Sequence, residues 1–179
     1  CTFNNCYVTT NVRVVATGQV NLQHSDLIND VNLSAPDFSF SGGNLLATQS
    51  GDAQITFTGV SGDYWNGGNA CRNSNGVIRI TNNGSGQVVV GNGSGDTYNT
   101  DVILSNNTPS SIFYFAHAGT NTFSGDVQLN NTSTGGVQWG ASNGTSTFAA
   151  GKAVYTGEYR SGPLQLWRIT QSGTTDKVI

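Results

Sequence analysis

The chain has 179 residues, of which 9% are charged, with 24 glycines, no methionine and a net charge of −3. That length supports one domain with a sizeable core, while seven scattered Lys and Arg cannot track a phosphate backbone, so a nucleic-acid surface is excluded. No apolar run approaches the roughly 20 residues of a membrane-spanning helix.

Strong helix formers are sparse, whereas β-branched and aromatic residues alternate with Gly, Asn and Ser turns, so strands are expected throughout. Three Trp, six Tyr and eight Phe are more than a disordered chain carries. Low charge with abundant Asn and Thr suits an extracellular or cell-surface protein.

From the N-terminus, residues 1–17 show no repeat and form a candidate cap. Cys1 and Cys6 lie here, and with Cys71 they are the disulfide candidates, an odd number that leaves one thiol over. Beyond Gly18 a repeat sets in. Thr97-Tyr98-Asn99-Thr100-Asp101-Val102 aligns with Thr122-Phe123-Ser124-Gly125-Asp126-Val127, an offset of 25 residues. Thr147-Phe148-Ala149-Ala150 continues the series. Ile112 and Tyr114 align with Val137 and Trp139. One corner of each unit falls at Gly18, Gly42, Gly67, Thr100, Gly125 and Ala150, at spacings of 24, 25, 33, 25 and 25. The long unit is read as a nine-residue insertion at residues 67–75.

Each unit holds short alternating strands that cannot bury their own apolar faces, so units must stack. The expected fold is an all-β, right-handed parallel β-solenoid over residues 18–179, with coils of about 25 residues. Phe40, Trp65, Tyr98, Phe123 and Phe148 are expected as one internal aromatic column. Thr175 to Ile179 resemble Thr100 to Leu104, so the last coil is incomplete. An incomplete coil invites continuation into further coils or end-to-end self-association.

The stretch Gly119-Thr120-Asn121-Thr122-Phe123-Ser124-Gly125-Asp126-Val127 resembles the β-strand repeats associated with bacterial autotransporters. With Asn130-Asn131-Thr132-Ser133-Thr134-Gly135-Gly136-Val137 it is more similar still to Asn/Thr/Gly-rich tandem-repeat surface proteins of Bacteroidetes. The resemblance spans residues 37–179 and implies a parallel β-helix in a large adhesin or gliding-associated protein. The Cys-bearing N-terminus and the insertion depart from that pattern.

No Gly-x-Ser-x-Gly elbow or phosphate loop is present. Asp101 and Asp126 recur on successive coils. They are read as turn caps first, and only secondarily as an acid pair of a polysaccharide-cleaving β-helix. With Asp63 and Asp96 they are also the candidates for a structural calcium, and no other cofactor is expected. Stacked Asn106 and Asn131 suggest a hydrogen-bonded ladder. Thr120-x-Thr122 and Thr145-x-Thr147 are of the type found in ice-binding ladders, but only two coils carry the pair and Ser94 and Asp96 break the series, which is too short for a plane. The insertion supplies the candidate binding residues Asn69, Arg72 and Asn73, with Tyr64 beside them, polar groups suited to a glycan. The expectation is a non-catalytic adhesin or binding segment of a larger repeat protein. A structural stalk or self-stacking filament, and then a polysaccharide-active enzyme, are the competing readings.

Overall fold

A computed structural model describes residues 1–41, 43–46, 52–60, 63–65, 70–71 and 76–172. The first coil contains β1 (Thr2–Asn4), β2 (Tyr7–Val8) and β3 (Val12–Val15), and the second β4 (Gln19–Gln23), β5 (Asp26–Leu27) and β6 (Val31–Ala35). The third holds β7 (Asp37–Ser41), β8 (Leu45–Leu46) and β9 (Ala53–Phe57). The fourth holds β10 (Asp63–Trp65), β11 (Ala70–Cys71) and β12 (Val77–Asn82). Next come β13 (Val88–Val90), β14 (Thr97–Tyr98) and β15 (Asp101–Asn106), then β16 (Phe113–Phe115), β17 (Thr120–Phe123) and β18 (Val127–Asn131). The remainder are β19 (Val137–Trp139), β20 (Thr145–Phe148), β21 (Val154–Tyr159), β22 (Leu164–Leu166) and β23 (Ile169–Gln171).

Every third strand returns to the same sheet. The first sheet runs β1-β4-β7-β10-β13-β16-β19-β22, the second β2-β5-β8-β11-β14-β17-β20-β23, and the third β21-β18-β15-β12-β9-β6-β3. All pairings are parallel and join neighbouring coils. The chain is a parallel β-solenoid, and no helix occurs among the described residues.

Alternation explains the core. Phe113 and Phe115 point inward and Tyr114 outward. Val127, Leu129 and Asn131 are buried, with Gln128 and Asn130 between them. One apolar cluster runs the length of the solenoid, from Val12 to Val154. Buried hydrophobic area is the main stabilising term, and stacking is the only way such short strands obtain it.

Four expectations are corrected by the register. First, residues 1–17 are not outside the repeat. Thr2 pairs with Asn21, Tyr7 with Asp26 and Val12 with Val31, so this segment is a coil advancing by 19 residues. It was missed because its period is 19, not 25. Second, Phe113 pairs with Val137 and Phe115 with Trp139, an advance of 24. The expected alignment of Tyr114 with Trp139 was one residue out, and a slip of one exchanges inner and outer faces. Third, Trp65 pairs with Val90 and Cys71 with Tyr98, so the aromatics form no single column. Phe40 and Trp65 belong to the first sheet, whereas Tyr98, Phe123 and Phe148 belong to the second.

Fourth, the expected spacing of 33 residues is not found between the fourth and fifth coils. The fourth coil reaches the fifth at advances of 25, 27 and 24 in the three sheets. Of the expected insertion, residues 67–69 and 72–75 lie outside the described residues.

Corners are closed by buried asparagines. Asn82, Asn106 and Asn131 stand in register at the end of the third sheet. Asn82 Nδ2 donates to Asn106 Oδ1 at 3.2 Å and to Gly86 O at 3.2 Å. Asn106 Nδ2 donates to Ser111 O at 2.9 Å within its own coil and to Gly136 O at 3.1 Å in the next. At the first corner Asn44 and Asn121 do the same work: Asn121 Oδ1 accepts from Asp96 N at 2.9 Å, and Asn44 Oδ1 from Ser25 N at 2.9 Å. A turn buried inside a stack has backbone groups that need partners, and an amide side chain offers both donor and acceptor. Gly136, at φ +79°, makes the turn that brings its carbonyl to Asn106.

Candidate functional site: the outer faces

The acidic residues are occupied structurally. Asp101 Oδ1 accepts from Asp126 N at 2.9 Å, and Asp126 Oδ1 from Ala153 N at 2.9 Å. Earlier coils repeat the device, with Asp30 Oδ1 accepting from Asp52 N at 3.0 Å and Asp52 Oδ1 from Val77 N at 2.8 Å. Each carboxylate caps the backbone of the following coil at the entrance to the third sheet. Lys152 Nζ lies 3.4 Å from Asp126 Oδ2.

Asp63 and Asp96 are not equivalent corners, because Asp63 pairs with Val88 in the first sheet and Asp96 precedes β14 in the second. Asp96 is buried, and the Tyr98 hydroxyl donates to its Oδ2 at 3.4 Å. Among the described residues no three His, Cys, Asp or Glu side chains gather as metal ligands.

The cysteines divide by coil. Cys1 and Cys6 are free thiols in the first coil, and Cys6 Sγ lies 3.4 Å from Asn4 O. Cys71 belongs to the fourth coil. Three coil spacings amount to about 14 Å, twice the reach of a disulfide, so a bridge from Cys71 to either does not fit this register.

Of the candidate binding residues, Asn69, Arg72 and Asn73 lie outside the described residues. Tyr64 falls in β10, paired with Ser39 on one side and Val89 on the other. Val89 pairs in turn with Tyr114, Tyr114 with Gln138, and Gln138 with Gln165. Ser39 and Tyr114 lie in the outer row of this sheet, since Phe38 and Phe40 flank Ser39 on the inner side, as Phe113 and Phe115 flank Tyr114.

Sequence reasoning missed Tyr114 as a surface residue because the register slip had turned it inward. The phenylalanines on either side were the signal that could have found it. Tyr114 packs edge-on against His117, with ring centroids 5.2 Å apart. Burial lowers the His117 pKa from 6.5, and its Nδ1 is buried without a hydrogen-bond partner. A neutral imidazole beside the phenol keeps this edge uncharged near neutral pH. Val89, although in the outer row, is 2% exposed.

Comparison with known proteins finds no matching family model, curated protein or solved structure.

Proposed function

We propose that the chain is a non-catalytic, extracellular binding segment of a larger cell-surface repeat protein, and that it holds an uncharged glycan along the outer face of the first sheet. The observation that carries this reading is the outward row Tyr114, Gln138 and Gln165. Tyr114 and Gln165 stand two coils apart, about 9.6 Å, close to the length of a disaccharide unit. A tyrosine offers a ring face for a sugar and a polar tip for its hydroxyls. Gln138 and Gln165 extend the row with amide donors and acceptors.

The competing enzymatic reading has less support. A depolymerising enzyme would need carboxylates with chemistry to spare, and Asp101 and Asp126 are engaged with backbone amides.

A glycan-array scan tests the proposal, using the chain, Tyr114→Ala, and a variant shortened within residues 67–75. Binding that falls with Tyr114→Ala and survives the shortening supports the first-sheet face. Binding lost only on shortening moves the site to the loop, and no binding at high concentration leaves a stalk as the better reading.

A further inference from the structure

A second outer face carries a different pattern. In the second sheet Thr97 pairs with Thr122, Thr122 with Thr147, and Thr147 with Thr170. Beside that column Thr120 pairs with Thr145. From sequence only two coils showed a Thr-x-Thr pair, but the register extends the main column over four strands. Adjacent hydroxyls touch: Thr122 Oγ1 to Thr97 Oγ1 is 3.3 Å, Thr147 to Thr170 is 3.3 Å, and Thr145 to Thr120 is 3.4 Å.

We propose that this threonine grid, on β14, β17, β20 and β23, adsorbs to ice. Its rows repeat at about 4.8 Å between coils and about 6.6 Å along a strand. Those two lengths lie close to oxygen repeats on ice faces, so each methyl and hydroxyl meets the lattice at a corresponding point. The β-branched side chains are stiff at χ1, and their mutual contacts hold them further, so little rotamer freedom remains to be lost on adsorption.

Directly inside the grid the Tyr98, Phe123 and Phe148 rings stack, with centroids 5.0 and 4.6 Å apart. That stack gives the face a rigid floor. Neutrality also fits an uncharged lattice. The column of Thr120 and Thr145 is followed by Arg168, the residue before Ile169, whose guanidinium is turned to backbone, Nη1 donating to Gly140 O at 2.8 Å and Ser142 O at 3.1 Å. A protein partner would be expected to find aromatic or arginine anchors, and a sugar to find an aromatic platform, neither of which the grid positions supply. The inference uses a different face from the glycan reading and stands apart from it.

The test is adsorption of the fluorescently labelled full chain to a single growing ice crystal, with thermal hysteresis measured in parallel. The chain should coat defined planes of the crystal. Thr122→Tyr should abolish coating while far-ultraviolet circular dichroism and glycan binding stay unchanged. Thr120→Lys, at an exposed position, gives the same reading if the tyrosine variant fails to fold. Tyr114→Ala should leave adsorption intact. The proposal is overturned if the unsubstituted chain does not coat ice, or if coating survives both grid substitutions. It is also overturned if sedimentation shows a dimer that Thr122→Tyr dissociates, which would assign the grid to a second copy.

Discussion

The first two coils and the fifth to seventh are built by the same rule yet filled differently. Residues 2–35 close a circuit in 19 residues around Val20, Leu22, Leu27, Val31 and Leu33. Residues 88–148 take about 25 and carry stacked aromatics inside, with buried Asn106, Asn121 and Asn131 at the corners. The extra residues fall mainly in the corners: residues 5–6 and 24–25 link the first sheet to the second early on, against residues 91–96 and 116–119 later. A wider corner buries more backbone, and buried backbone needs partners. Coil size therefore shifts the chemistry: the narrow second coil takes an amide cap from Asn44 of the third, whereas the wide coils carry such amides at two corners.

The comparison can be broken first in the aromatic stack. Phe123 lies between Tyr98 and Phe148, so Phe123→Ala should cost about 3–5 kcal/mol, while Leu27→Ala in the narrow coils should fall nearer the low end of the ~2–5 kcal/mol range. Urea denaturation of both variants measures this, and equal losses would show that the wide coils gain nothing special from their rings.

Next in size is the corner. Asn106→Leu fills a similar volume but removes the hydrogen bonds to Ser111 O, Gly136 O, Asn82 Nδ2 and Ser111 Oγ, each of which keeps another partner, and should cost about 1–2 kcal/mol. Asn32→Ala, on the outer face of a narrow coil, should stay within about 0.5 kcal/mol. Capping should come third. Asp126→Ala removes the acceptor for Ala153 N and should cost about 1 kcal/mol, whereas Asp126→Asn keeps an oxygen there and should cost less.

The smallest effect is a pH dependence at His117. Its pKa is lowered by burial, so the unfolded chain takes up the proton first as pH falls below 6.5. Stability should be flat above that value and decline below it, and His117→Asn should remove that part of the decline in the denaturant midpoint.

The solenoid was legible because the 25-residue offset of Thr97, Thr122 and Thr147 preserves strand pairs that the structure contains. What failed was counting across connections of variable length. One residue fewer before Val137 turned Tyr114 inward on paper, and a 19-residue period hid the first coil altogether. Periodicity in sequence reports the average coil, whereas pairing is decided locally by which residues a turn consumes. The Asp column was readable as caps, since repetition at every coil argues for a structural task. The outer rows were not readable, because a face exists only after the register is known.

Asn131 marks the place where one of these devices runs out. Its partner in β21 is Tyr159, and between Leu129 and Asn131 the pairing with β21 slips out of step. From Asn82 to Asn106 to Asn131 this end of the sheet stays in step, as it does from Ala35 to Phe57 to Asn82 before it. This end of the sheet thus behaves as an index mark for a chain that winds up coil by coil, telling each incoming strand which frame to adopt. Lengthening such a protein by duplication would keep its count wherever the mark is copied, and would drift wherever it is not.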